Sequence, residues 1–219
     1  MNKARVAILI SGRGSNMAAL IAAAAAADYP AEVVLVVADR LDAAGLALAR
    51  DASVPTAVVP YRGAAERATF EAELDRHLRE AGATFVCLAG FMRLLSAAFV
   101  TRWRDRIINI HPSLLPAFPG LDTHARALAA GVRIHGCTVH FVRASVDDGP
   151  IILQGHAPVR PGDTPDTLAA RVLEVEHQIY PLALRLVADG SAQVVDGAVK
   201  IDPGAPAHLT AKSECGHRH

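Results

Sequence analysis

Short apolar runs and longer helix-forming stretches alternate through the first half of the chain. Residues 5–10, 32–38, 56–59, 84–89 and 106–110 are dominated by Val, Ile, Leu and Ala. Such near-continuous apolar runs are the pattern of strands buried on both faces. Between them, residues 17–27, 43–52, 64–81 and 96–102 have helical composition or spacing. Strand and helix in strict alternation predict an α/β protein: a doubly wound, mainly parallel sheet with helices on both faces. Ligands on such sheets bind at the carboxyl ends of the strands.

After Pro112 the rhythm changes. Residues 113–122 read as a loop with Pro116, Pro119 and Gly120, and 124–130 as a short helix. Residues 135–142 and 151–158 read as strands separated by a turn containing Asp147, Asp148, Gly149 and Pro150. Spacing this short predicts an antiparallel C-terminal part. A helix over 164–189 follows, capped by Asp163 or Thr164 and kinked or broken at Pro181. Asp196-Gly197 marks a hairpin between 193–195 and 199–201. One domain over 1–202 is expected, with 1–110 and 111–202 as its halves, and a flexible tail over 203–219.

Composition narrows the partners. The 219 residues are 52% hydrophobic, enough for a large core, and 22 basic residues balance 22 acidic ones. Zero net charge gives no global field for nucleic acid. Three separated cysteines, Cys87, Cys137 and Cys215, form no disulfide framework and fit a reducing compartment. The first apolar run is cut too early by Ser11-Gly12-Arg13-Gly14 for a signal peptide, and no run is long enough to span a membrane. The expectation is a cytoplasmic protein acting on small molecules, without a nucleic-acid or membrane partner.

Three segments carry candidate chemistry. Ser11-Gly12-Arg13-Gly14-Ser15-Asn16 joins a strand to a helix. Its glycines let backbone N–H groups approach an anion at a helix N-terminus. It lacks the Lys-Ser/Thr ending of a P-loop, and Asp39 after the second strand keeps a dinucleotide reading open. Asn109 and His111 are two apart near a strand end, so they share a face opposite Ile108 and Ile110. Both can donate to an oxygen gaining negative charge; the plainer alternative is two polar residues satisfying a loop. A carboxylate from Asp147 or Asp148 reaching His111 would orient it and favour imidazolium. His135, Cys137 and His140 raise a metal, but Cys137 and His140 point to opposite faces of a strand, and no metal is expected. No Gly-x-Ser-x-Gly elbow or other activated nucleophile is evident. Gly90-Phe91-Met92-Arg93-Leu94-Leu95 offers an apolar slot with one cation, suited to a flat ring with an acidic end.

In this order and spacing the segments, together with Asn109-Ile110-His111-Pro112-Ser113-Leu114-Leu115-Pro116 and Asp147-Asp148-Gly149-Pro150-Ile151-Ile152, resemble the glycinamide ribonucleotide formyltransferase family of purine biosynthesis. The resemblance runs from residue 5 to about residue 190 and implies the formyltransferase fold. It implies formyl transfer from 10-formyltetrahydrofolate, as co-substrate, to the amine of glycinamide ribonucleotide. It implies Asn109, His111 and Asp147 as catalytic residues. Gly14, Ser15 and Asn16 would hold the substrate phosphate, with Leu173, Glu174, Val175 and Glu176 shaping the rest of that site. Arg67, Met92, Arg93, Leu94, Leu95 and Asn109, with Arg143, Ala144, Ser145, Val146 and Asp147, would bind the folate. A monomer or weak homodimer is expected. Three departures stand out: Ala38-Asp39-Arg40 in place of a Ser-Asn-Lys or Ser-Asn-Arg, Leu173 in place of a polar residue, and Asp148 in place of a glycine. A 10-formyltetrahydrofolate hydrolase, a transfer-RNA formyltransferase and a non-catalytic nucleotide-binding module are the alternatives. The first shares the folate pocket and trio, the second would need a further RNA-binding domain, and the third leaves the trio unexplained.

Overall fold

Alternate residues of the first strand face two different cores. In the computed structural model, which describes residues 3–204, Val6, Ile8 and Ile10 pack into one cluster and Ala7 and Leu9 into another. All five are fully buried. That is why the run has no polar member: a strand covered on both faces has no solvent side.

The elements are β1 (Ala4–Ile10), α1 (Ser15–Ala24), β2 (Ala31–Ala38), α2 (Gly45–Asp51), β3 (Thr56–Val58), α3 (Arg67–Glu80), β4 (Phe85–Leu88), α4 (Ala97–Arg102), β5 (Ile107–His111), α5 (Thr123–Ala129), β6 (Ile134–Phe141), β7 (Ile151–Pro158), α6 (Pro165–Ala188), β8 (Ala192–Val195) and β9 (Ala198–Ile201). Seven strands form one sheet in the order β3-β2-β1-β4-β5-β6-β7. Pairing is parallel as far as β5 and antiparallel from β5 to β7. The chain winds outward from β1 to β3, then crosses back to β4. The switch lies between β1 and β4, where open α/β sheets leave a crevice. The β8–β9 hairpin turns on Asp196 and Gly197, both at positive φ (53° and 81°), as a two-residue Asp-Gly turn requires.

Helix α6 is the central support. Its Thr164 cap accepts from the Thr167 amide and returns a reciprocal bond, and Asp163 pairs with Arg171 at 2.8 Å. Pro181 does not break it: the helix runs unbroken from Pro165 to Ala188. Pro181 removes one N–H from the ladder, and its own carbonyl accepts from the Tyr29 hydroxyl at 2.6 Å. One residue earlier, fully buried Tyr180 donates its hydroxyl toward Leu88 O (3.0 Å) and Ile108 O (3.2 Å). It thus bridges the last residue of β4 and the second residue of β5.

Among the boundaries that differ from the sequence pattern, two bear on the site. The helix expected over 64–81 begins as a single 3-10 turn at Ala64–Glu66 before α3. Strand β5 extends through His111, whose partner across the antiparallel ladder is Thr138. The following Pro112 ends the strand one residue later than the apolar run alone indicates. Of the expected tail, residues 205–219, including Cys215, lie outside the described residues. No helix among the described residues is long and apolar enough to cross a membrane.

Replacing Tyr180 with Phe should lower the unfolding free energy by about 1–2 kcal/mol, because a buried donor between two strand carbonyls is lost. Urea denaturation of Tyr180→Phe beside the parent chain checks this; an unchanged midpoint would mean the hydroxyl is dispensable.

Candidate active site

The turn after β1 is shaped by one close approach. Gly14 has φ 76°, and a Cβ on it would lie 2.8 Å from the Gly45 backbone. Only glycine fits, and the Gly45 amide closes the packing by donating to Gly12 O at 3.0 Å. Helix α1 therefore starts at Ser15 with no side-chain cap. Its first amides have no intrahelical acceptor and carry the positive end of the helix dipole. They face a cavity of about 700 Å³ lined by Ser11 through Asn16, Gly90, Met92, His124, Asp166, Leu173 and Glu176. Asn16 Nδ2 donates to Glu176 Oε2 at 2.6 Å, while Asn16 Oδ1 is buried without a partner. Burial raises the Glu176 pKa above the usual carboxylate value.

Residue spacing on α6 decides which of its side chains reach this cavity. Asp166, Ala169, Ala170, Leu173 and Glu176 line it, a stripe at three- and four-residue intervals. Glu174 is exposed away from it, and Val175 packs beside Gly155. Neither of these two lines the cavity, because they sit on other faces of the helix. Leu173 does line it, but offers no hydrogen bond.

At the end of β5 the period-2 alternation has the expected result. Ile108 and Ile110 enter the core cluster shared with α1 and α6, while Asn109 turns to the opposite face. The register places Asn109 across from His140. Asn109 Nδ2 lies 3.3 Å from His140 Nε2, and His140 Nδ1 lies 3.0 Å from Phe141 O. A carbonyl can only accept, so Nδ1 carries the proton and Nε2 accepts from Asn109. Burial lowers the His140 pKa, which favours this neutral ring.

His111 has acceptors at both nitrogens. Nδ1 is 3.3 Å from Asp147 Oδ2, and Nε2 is 3.1 Å from Phe118 O. An imidazolium satisfies both at once. The Asp147 carboxylate is fixed in turn by the Gly120 amide at 2.8 Å, and its backbone sits at φ 53°. Asp147, rather than exposed Asp148, reaches the histidine. Asn109, His111, His140 and Asp147 thus form one connected polar group drawn from β5, β6 and the 143–150 turn.

Two further cavities adjoin this group. One, of about 380 Å³, is lined by Arg67, Arg93, Leu94, Leu95, Asn109, His140 and the residues from Arg143 to Asp147. The other, of about 680 Å³, is lined by Met92, Arg93, Asn109, His111, His124, Asp147 and Asp166. It shares Met92, His124 and Asp166 with the α1 cavity and Arg93, Asn109 and Asp147 with the smaller one. A continuous trough therefore runs from the α1 N-terminus past Asn109 and His111 to Arg67. Of its four arginines, Arg13 stands at the α1 end, Arg143 pairs with Asp105 at 2.5 Å and Arg93 pairs with Asp39. Arg67 keeps Nε buried and unpartnered. Among the described residues no group of three or more His, Cys, Asp or Glu side chains could hold a metal ion.

The sequence reading gave His140 no role in the site, and missed His124 and the link between Asp39 and Arg93. The signal for His140 was there in principle: pairing 106–110 against 135–142 in antiparallel register puts it opposite Asn109. The other two come from α5 and from loops packing across the sheet ends, which no local pattern encodes.

Comparison with known proteins adds an independent line. Residues 4–184 match the family model described as formyl transferase. The chain is 42% identical to the phosphoribosylglycinamide formyltransferase of Escherichia coli K12, over 90% of this chain and 93% of that one. It is 49% identical to the chicken (Gallus gallus) trifunctional purine biosynthetic protein adenosine-3, over 88% of this chain, and spans only 19% of that longer protein. The crystal structure of glycinamide ribonucleotide transformylase 1 from Symbiobacterium toebii superposes with a TM-score of 0.86 at 46% identity, covering 91% of this chain and 94% of that one.

Behind the trough, His135 is almost fully buried, its ring edge-on to those of Phe118 and His124. Burial, then the proximity of His124, pushes its pKa down to about 4 from 6.5. Between those values the unfolded chain binds a proton that the folded chain refuses, so stability present above pH 6.5 is lost as pH falls. The loss should be on the order of 2–3 kcal/mol by pH 4. Urea unfolding of the parent and His135→Gln at a series of pH values checks this. The variant should show a shallower acid limb; parallel limbs would contradict the assignment.

Proposed function

The chain belongs to the formyl transferase family, and we propose that it transfers the formyl group of 10-formyltetrahydrofolate to the amine of glycinamide ribonucleotide. The observation that carries this reading is the single trough joining an anion-accepting helix N-terminus to a cationic, apolar slot, with Asn109 and His111 at the junction. The two ends match the two substrates, and their meeting point holds the donors that acyl transfer needs. Residues 1–202 work as one unit on this reading, in the cytoplasm and on small molecules alone.

Gly14, Ser15 and Asn16 hold the ribonucleotide phosphate through the free α1 amides. Glu176, held by Asn16, accepts hydrogen bonds from the amine-bearing end of the substrate. The folate lies in the slot of Met92, Leu94, Leu95 and the 144–146 backbone. Arg67, the cation without a fixed acid partner, receives its glutamate carboxylates.

The chemistry needs no protein nucleophile, since the amine nitrogen is one. It attacks the formyl carbon, a C–N bond forms, and the carbonyl π pair moves onto oxygen. Asn109 meets this oxyanion with the Nδ2 hydrogen not used on His140. Neutral His140 keeps that amide in the donating orientation. His111 adds positive charge held in place by Asp147, and its Nε2 meets the oxyanion by exchanging Phe118 O for it. Collapse breaks the bond to N10 of the folate. The proton lost by the amine ends on that nitrogen, carried by His111 or by a water.

Incubation with 10-formyltetrahydrofolate and glycinamide ribonucleotide should yield formylated ribonucleotide and tetrahydrofolate. Formate release with no formylated ribonucleotide would favour the hydrolase instead. Asn109→Ala should lower kcat by about 10²–10³, the loss typical of one oxyanion donor, with the ribonucleotide KM changed only a few-fold. Steady-state kinetics with each substrate varied checks this, and full turnover in the variant would remove Asn109 from the mechanism.

A further inference from the structure

Asp39, at the end of β2, lines none of the three cavities, yet it is 3% exposed and its carboxylate faces a cavity residue. Oδ2 accepts from Arg93 Nε. Oδ1 is buried without a partner, so the carboxylate depends on Arg93 for its charge pairing. The backbone of Asp39 is equally fixed: its amide donates to Ile10 O at 3.3 Å, and its carbonyl accepts from the Tyr61 amide at 3.0 Å. That second bond carries Tyr61 beneath Arg93, with the guanidinium carbon 4.9 Å from the ring centroid. One residue thus sets both supports of the arginine: an ion pair at Nε and an aromatic face. Neighbouring Arg40 does not compete, since it turns outward onto Asp42.

The constraint reaches the substrate trough. The arginine side chain is 33% exposed and lines both the folate slot and the junction cavity, with its two terminal nitrogens not engaged by Asp39. A guanidinium fixed before binding loses little rotamer freedom when a ligand arrives. We propose that Asp39 is a positioning residue for the formyl donor, acting through Arg93 and not on the ribonucleotide. The inference rests on the proposed function and deepens it, assigning a role to the Ala38-Asp39-Arg40 segment that departs from the family pattern. Ser11 secures the same loop separately: its amide donates to Gly90 O at 3.2 Å, and its hydroxyl accepts from the Met92 amide at 2.8 Å. Loss of Asp39 should therefore loosen the Arg93 side chain while leaving the loop backbone in place.

The test is a kinetic cycle with Asp39→Ala, Asp39→Asn, Arg93→Met and the double variants. Asp39→Ala should raise the KM for 10-formyltetrahydrofolate about tenfold, with kcat and the ribonucleotide KM within about twofold. Asp39→Asn keeps an acceptor for Nε and should recover most of the loss. In the Arg93→Met background neither Asp39 substitution should add more than about twofold. Should Asp39→Ala fail to fold, the Asn variants in both backgrounds give the same reading at smaller amplitude. Equal changes in both KM values, no change in either, or multiplicative effects in the cycle would overturn the proposal. A parent chain that transfers no formyl group contradicts the proposed function instead. The Asp39 link is then read from the dissociation constant of 10-formyltetrahydrofolate, whose rise on Asp39→Ala supports it and whose constancy overturns it.

Discussion

The antiparallel pairing of β5 with β6 is the constraint on which the rest of the site depends. Parallel strands deliver Asn109 and His111 to the sheet's carboxyl edge, but a further parallel strand would carry its own end loop there after a long crossover. Reversal at β6 does something different. It sets His140 directly across from Asn109 and returns the chain through the 143–150 turn to the same edge. Asp147 thereby comes within 3.3 Å of His111, though 35 residues of loop, helix and strand lie between them in sequence. A slip of one residue in this register would send His140 to the opposite face and leave the Asn109 amide without its acceptor.

Burial on both sides of the sheet makes that register hard to lose. Every β1 residue from Val6 to Ile10 is enclosed, and Ile108 and Ile110 anchor β5 in the core under α6. Tyr180 adds a polar clamp where β4 and β5 approach the site. The polar groups at the edge therefore sit on rigid elements, while the turns that supply Asp147 and the Phe118 carbonyl come from outside them. Rigid donors with a partner delivered by a turn suit a reaction in which two substrates must enter before charge develops.

The sheet, its order of helices and strands, and the face shared by Asn109 and His111 were all legible from apolar spacing, because a period of two and full burial leave a direct imprint on residue choice. The helix cradle at Gly14 was legible for a similar local reason. The tertiary couplings were not. Asp39 with Arg93, Gly120 with Asp147 and Phe118 with His111 join segments whose spacing carries no signal. Glu174 and Val175 show the converse: sequence neighbours of Glu176 that the helical turn directs elsewhere. Pro181 shows a local rule yielding to context, since α6 is held on both sides of it by buried packing.

The central claim is that Asp147 acts on the reaction through His111, as one ion-paired unit. A double-mutant cycle on kcat/KM with His111→Ala, Asp147→Asn and the pair tests it most directly. The account predicts that the double variant is at most a few-fold slower than the worse single variant, because removing either partner already disables the unit. Losses that multiply across the two positions would contradict it.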